Sequence, residues 1–118
     1  MPIERLHKGP RMSQVVIHNK TVYLAGQVAE NAAGKNVAEQ TREILATIGT
    51  LLAEARTDKT RILSATIWLT DMAAFGEMNQ VWDRWVAAGN TPARATVQST
   101  KLAGPEYKIE IAVIAAQP

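Results

Sequence analysis

The chain has 118 residues, of which 47% are hydrophobic and 20% charged, and this composition predicts one ordinary globular domain over residues 1–118. The formal net charge is only +2, and the absence of cysteine excludes disulfides, thiolate nucleophiles and sulfur-ligated metals. No apolar run approaches the roughly 20 residues of a membrane span. The first residues lack the apolar core of a secretion signal. We therefore expect a cytoplasmic protein with no membrane partner.

Basic residues are spread along the chain, with the densest group near the N-terminus at Arg5, His7, Lys8 and Arg11. A nucleic-acid surface would combine a basic stripe with stacking aromatic side chains. Here the three Trp, two Tyr and one Phe fall mostly in apolar patterns, so no nucleic-acid partner is expected. His7 and His18 stand apart with no carboxylate at ligand spacing, so no metal site is predicted either.

Three β-rich segments open the chain. Residues 2–7 alternate as a short strand, and residues 15–17 and 21–25 form two further β-rich runs. The connection at residues 18–20 has an asparagine at its centre, which tolerates positive φ, so we predict a hairpin. Gly26 is interpreted as the turn that ends the third strand.

An amphipathic helix follows. Asn36 can cap its N-terminus, and Glu39 stands three residues on, at the spacing of a capping box. Gln40 and the other polar side chains of this segment are predicted to face away from the core. The apolar stripe recurs at three- and four-residue steps through Val37, Thr41, Ile44, Leu45, Ile48, Leu51, Leu52 and Ala55.

A fourth strand and a second helix come next. In residues 62–69 the alternation places Leu63, Ala65, Ile67 and Leu69 on one face, and Ile62, Ser64, Thr66 and Trp68 on the other. After a cap at residues 70–71, the second helix carries its apolar stripe on Phe75, Met78, Trp82, Trp85 and Val86. Gly89 is predicted to cap its C-terminus.

Two alternating segments near the C-terminus each place one charge in mid-strand. Arg94 shares a face with Thr96 and Gln98, and Glu110 shares a face with Lys108 and Ala112. A partly buried charge needs a partner because leaving it unpaired is costly. Arg94 either forms a salt bridge with Glu110 or binds an anionic ligand, and the residues alone leave both open.

The order of elements predicts an α+β fold, a two-layer sandwich with one sheet and both helices on a single face. The other sheet face would be too mixed for a core and too apolar for water, which predicts self-association. The residues assigned to that bare face are Ser64, Thr66, Trp68, Thr96, Gln98, Glu110 and Ala112.

Residues 91–97 (TPARATV), followed by Leu102 and residues 108–115 (KIEIAVIA), resemble the signature of the RidA/YjgF family of imine and enamine deaminases. Further stretches match that family in order, and together they cover nearly the whole chain: residues 9–10, 13–15, 22–27 and 69–71, then Phe75, Met78, Asn79 and Trp82. The resemblance implies a chorismate-mutase-like sandwich with a mixed sheet. It also implies a homotrimer with ligand clefts between subunits.

The same resemblance implies hydrolysis of 2-imino acids, or their enamine tautomers, to 2-keto acids and ammonia, without a metal or cofactor. Arg94 would grip the substrate carboxylate. Backbone groups around Thr96 would contact the imine nitrogen and hold the attacking water, which Glu110 would orient or deprotonate.

Met12, Ala25 and Gly26 complete the predicted substrate-binding set. The usual family pattern has Tyr in place of Met12, Cys in place of Thr96 and Ser near Ala25, and its Leu-Pro is stretched here to residues 102–105. Because Arg94 and Glu110 are retained while these pocket residues change, carboxylate binding is better supported than any particular substrate. Two alternatives stay open: a trimer that binds small carboxylates without turnover, and a hydrolase of a related C–N bond such as a carbamate.

Overall fold

The structure, a computed structural model, describes residues 2–118. Single turns of 3₁₀-helix, Lys59–Arg61 and Met72–Ala74, precede the fourth strand and the second helix. The strands are β1 (Glu4–Lys8), β2 (Ser13–His18), β3 (Thr21–Leu24), β4 (Ile62–Leu69), β5 (Ala93–Gln98) and β6 (Ile109–Ala116), and the helices are α1 (Val37–Glu54) and α2 (Phe75–Trp85).

All six strands form one mixed sheet in the order β1-β2-β3-β6-β4-β5. Only β4 and β5 are parallel, and β1 and β5 are the two edges. Both helices pack on the same face of the sheet, where the hydrophobic core lies. The predicted two-layer α+β sandwich is thus confirmed. Neither helix has the length and apolarity needed to cross a bilayer.

The predicted β2–β3 turn and the predicted N-cap of α1 are confirmed, whereas the two caps predicted for α2 are not. In the β2–β3 hairpin, Asn19 and Lys20 have φ angles of 52° and 62°, the left-handed pair that a tight two-residue hairpin requires. At the start of α1, Asn36 Oδ1 accepts a 2.8 Å hydrogen bond from the N–H of Glu39. The second helix ends at Trp85, before the predicted cap, and Gly89 instead takes a positive φ of 80° in the turn beyond it.

The prediction for Gln40 was wrong, because its side chain is completely buried. Its Nε2 donates 3.0 Å hydrogen bonds to the carbonyl oxygens of Lys35 and Glu106, and its Oε1 accepts a 2.9 Å bond from the N–H of Lys108. Buried backbone groups must find partners. Gln40 supplies them to two loops, the one before α1 and the one between β5 and β6.

The alternation predicted for β4 fails at its first residues. A register shift between Ile62 and Ser64 turns Ile62 into the core, where it is 5% exposed, and turns Leu63 outward, where it is 52% exposed. From Ala65 onward the predicted alternation holds, with Ala65, Ile67 and Leu69 buried.

Cross-strand register settles which residues share each face, because neighbours in register point to the same side of a sheet. Thr96 pairs with the buried Ile67, and Gln98 with the buried Leu69. Both therefore belong to the helix-covered face, and their assignment to the bare face was wrong. The other five predicted residues do lie on the open face, namely Ser64, Thr66, Trp68, Glu110 and Ala112, and they are joined there by Tyr23, Ala95, Val97 and Ile114.

Candidate functional site

Arg94 is the second residue of the edge strand β5 and pairs with the buried Ala65, so its side chain runs along the helix-covered face. Its guanidinium carbon stands 5.2 Å from the ring centroid of Trp82 and 5.8 Å from that of Phe75. Its Nη1 is 4.0 Å from Sδ of Met78. Residues of α2 thus hold the cation by cation–π contacts and a sulfur contact.

No carboxylate within residues 2–118 lies close enough to neutralise Arg94. The ion pairs there join His7 to Glu54, Lys35 to Glu39 and Arg56 to Glu4, all exposed. The alternative of an Arg94–Glu110 salt bridge within one chain is wrong, because Glu110 pairs with Trp68 on the opposite sheet face. The aromatic contacts fix the guanidinium without occupying it, so its N–H groups stay available to an anion.

Two buried polar atoms near Arg94 also lack partners in the described chain. They are Oγ1 of Thr96, two residues along the same face of β5, and Oδ1 of Asn79 in α2. Asn79 lies one helical turn from Phe75 and from Trp82, the residues whose rings contact Arg94. An unsatisfied buried polar group costs about 1–3 kcal/mol. The functional prediction from sequence had not included Asn79, which the structure places in α2 among the residues that contact Arg94.

Glu110 occupies the open face beside Gly26. A Cβ added to Gly26 would collide with Oε2 of Glu110, so the glycine is needed for the close approach of this carboxylate. Partial burial raises the pKa of Glu110, because desolvation penalises the charged form. The carboxyl group is thus more basic than an exposed glutamate.

Of the remaining predicted residues, Ala25 precedes Gly26 in the chain, and no contact joins Ala25 or Met12 to Arg94 within residues 2–118. The N–H of Ala25 donates a 2.9 Å bond to the carbonyl of Gln14, which extends the β2–β3 pairing. Met12 is exposed just before β2. A polar cavity of about 270 Å³ opens beside these strands, and sequence reasoning did not anticipate it. Its lining residues are Gln14, Gly26, Gln27, Val28, Glu30, Asn31, Glu43 and Thr47.

A single chain therefore carries two half-sites. Arg94 and Thr96 belong to the helix-covered face at the β5 edge, whereas Glu110 and Gly26 belong to the open face, with β4 between the two strands. The structure brings Gly26 and Glu110 together, and it does not bring Arg94 and Glu110 together.

Comparison with known proteins identifies the family. The family model described as Endoribonuclease L-PSP matches residues 3–117. The crystal structure of NMB1025 from Neisseria meningitidis, a member of the YjgF protein family, superposes with a TM-score of 0.93 at 45% identity, covering 100% of this chain and 97% of that one. The chain belongs to the RidA/YjgF family.

Relatives of this RidA/YjgF protein carry two kinds of name. A RutC family protein from Haemophilus influenzae is 46% identical over 115 residues, covering 98% of each chain. A rat protein named 2-iminobutanoate/2-iminopropanoate deaminase is 34% identical over 110 residues, covering 89% of this chain and 79% of its own. The more similar relative thus has a family name alone, and the activity is named in the more distant one.

Proposed function

We propose that this protein hydrolyses 2-imino acids, or their enamine tautomers, to 2-keto acids. Water adds to the C=N carbon, the C–N bond then breaks, and nitrogen leaves as ammonia. The observation that carries the proposal is the guanidinium of Arg94, held in place and not neutralised within the described chain. The name of the rat relative supports the same chemistry.

Arg94 would bind the substrate carboxylate. A guanidinium offers two parallel N–H donors in a planar fork that matches a carboxylate, and contacts with Phe75, Met78 and Trp82 reduce the freedom lost on binding. The imine carbon is already electrophilic, so holding it in the right orientation toward water supplies much of the catalysis.

Backbone groups of β5 are suited to contact the imine nitrogen and the water. As an edge strand, β5 pairs only with β4, so half of its N–H and C=O groups are unpaired within the chain. Thr96 lies in the middle of this edge, two residues after Arg94.

Glu110 would act on the attacking water. Its pKa is raised by burial, and a carboxylate of higher pKa is a stronger general base near neutral pH. The absence of a side chain at Gly26 leaves room for this carboxylate on the open face.

A site that contains both Arg94 and Glu110 requires two copies of the chain, because the two residues lie on opposite faces of one sheet. We therefore propose a homotrimer with sites between subunits, in which the β5 edge of one copy meets the open face of the next. Exposed apolar side chains on that face, among them Tyr23 and Val97, support burial against a partner.

A second candidate function is binding of small carboxylates without turnover. It is favoured by the separation of the two half-sites in one chain, because Arg94 alone can hold a carboxylate and cannot activate water.

A coupled assay tests the proposal and separates the two candidates. An amino-acid oxidase generates several imines in turn, and semicarbazide traps the imine that survives. Deaminase activity is expected to lower trapping in proportion to protein concentration. If 2-keto acids raise the melting temperature while trapping of every imine stays at background, the protein binds and does not hydrolyse.

A further inference from the structure

A cavity of about 240 Å³ opens between the two helices, and none of the residues that line it is assigned a role in the proposed catalytic site. Arg42 and Leu45 come from α1, and Val81, Arg84 and Trp85 come from α2. Lys59, from the turn before β4, completes the lining. The proposed deamination uses none of these six side chains.

Three cations surround this cavity without a counter-ion. Within residues 2–118, no carboxylate forms a salt bridge with Arg42, Lys59 or Arg84. The ammonium of Lys59 donates a 2.5 Å hydrogen bond to the carbonyl oxygen of Trp85 and lies 5.3 Å from its ring centroid. Like charges held together in this way create a local positive potential that attracts an anion.

The floor of the cavity is apolar. Leu45 and Val81 are buried, and Trp85 is half-buried with its ring over the ammonium of Lys59. The volume is slightly below the range of roughly 300–1,000 Å³ typical of pockets for drug-sized ligands. These properties favour a ligand about the size of an amino acid, with a charged head and an apolar body.

We propose that this cavity is a second ligand site, specific for a small organic anion that carries a carboxylate or phosphate head on an apolar body. The exposed guanidinium groups of Arg42 and Arg84 bind the head group, since a guanidinium can donate paired hydrogen bonds to a carboxylate or to a phosphate. The body packs on Leu45, Val81 and Trp85.

A tryptophan contact makes this site observable. The rings of Trp82 and Trp85 are 5.7 Å apart between centroids, and Trp82 in turn contacts Arg94. A ligand seated on Trp85 is therefore expected to change the intrinsic fluorescence, and Trp85→Phe is expected to remove most of that change.

The test measures binding of 4-methyl-2-oxopentanoate by titration calorimetry and fluorescence. In an Arg94→Ala variant, which removes the proposed catalytic anchor, one binding site per chain is expected to remain. Adding Arg42→Gln and Arg84→Gln is expected to weaken it about tenfold, since both charged contacts with the head group are then lost. Arg11→Gln with Lys20→Gln removes the same charge from exposed positions elsewhere and serves as the matched control.

Further probes fix the ligand class. Phenyl phosphate tests a phosphate in place of the carboxylate. Whichever of phenyl phosphate and 4-methyl-2-oxopentanoate binds more tightly identifies the preferred head group. The neutral ketone 4-methylpentan-2-one is expected not to bind. If Arg94→Ala misfolds, the same titrations are made with the wild-type chain. Two binding sites per chain are then expected, and one is expected to remain after Arg42→Gln and Arg84→Gln. The proposal is overturned if neither anion binds, if the ketone binds equally well, or if the double variant matches its control.

Discussion

Arg94 is held by the rings of Phe75 and Trp82 rather than by a carboxylate. A salt bridge would fix the side chain equally well, but it would occupy the donors that a substrate needs. Aromatic faces attract the cation and leave its N–H groups free. This residue can therefore be pre-organised for an anion without first having to break an ion pair.

Gly26 offers a sharp test at the scale of one residue. Gly26→Ala places a methyl group against the carboxylate of Glu110, so we expect loss of most imine hydrolysis in the trapping assay. Gly49→Ala is the control, because nothing lies within 4 Å of its added Cβ in α1. That variant is expected to keep full activity and to gain up to about 1 kcal/mol of helix stability. Equal activity of both variants would contradict the role assigned to Gly26.

The raised pKa of Glu110 predicts a pH-dependent stability. A carboxyl group with a raised folded-state pKa stabilises the fold below its unfolded pKa, and this contribution is lost as pH rises through the folded-state pKa. In ligand-free protein, Glu110→Gln is therefore expected to raise the melting temperature at pH 7, and the gain should shrink as pH falls through the raised folded-state pKa and be gone below the ordinary value of 4.5.

The same variant should lose turnover while it keeps 2-keto-acid binding, if Glu110 acts only on water. A large fall in melting temperature at pH 7 would contradict this account, since it would show that Glu110 compensates a buried cation.

At the scale of elements, Gln40 ties α1 to two loops. Gln40→Leu leaves the carbonyl oxygens of Lys35 and Glu106 and the N–H of Lys108 without that partner. We expect a loss of at least about 2 kcal/mol in the free energy of unfolding, measured by urea denaturation. Gln80→Leu, at an exposed position of α2, is the matched control and should change stability by less than about 0.5 kcal/mol. A similar loss of unfolding free energy in both variants would contradict the stabilising role assigned to the buried hydrogen bonds of Gln40.

The structural features that were predicted correctly from the sequence are those that depend on residues close to one another in the chain. The Asn36 cap and the Asn19 hairpin depend on neighbours a few residues away, and both were predicted correctly. The partners of Gln40 in the β5–β6 loop lie 66 and 68 residues along the chain, so no local pattern signals them.

The same reason limits prediction of the site. The alternation of β5 correctly placed Arg94, Thr96 and Gln98 on one face. Which face that is depends on parallel pairing with β4, which periodicity cannot reveal. The need for glycine at residue 26 likewise arises from Glu110, which is distant in sequence.

For the whole molecule, the main physical question is what covers the apolar side chains of the open sheet face and the unpaired edge of β5. Tyr23 and Val97 are 45% and 44% exposed there, and β5 ends the sheet with unpaired backbone groups. Exposed strand edges and apolar patches promote association. Pairing between copies would cover both features and would also unite the two half-sites.

We expect light scattering to give about three times the 12.9 kDa monomer mass at micromolar concentration. Trp68→Glu puts a charge on the open face beside Glu110, so it should dissociate the assembly. Ala46→Glu, on the exposed side of α1, is the control and should leave the mass unchanged. A wild-type monomer would contradict the trimer, and an unchanged mass for Trp68→Glu would place the interface elsewhere.

The central claim, that Arg94 anchors the substrate carboxylate, is tested most directly by imine hydrolysis in Arg94→Lys and Arg94→Ala variants of confirmed fold and mass. Lysine keeps the charge but loses the planar fork, so both variants should fall in kcat/KM by roughly 10²–10³-fold, or about 3–4 kcal/mol, with Arg94→Ala the lower. A folded, assembled Arg94→Ala protein with wild-type activity would contradict the account.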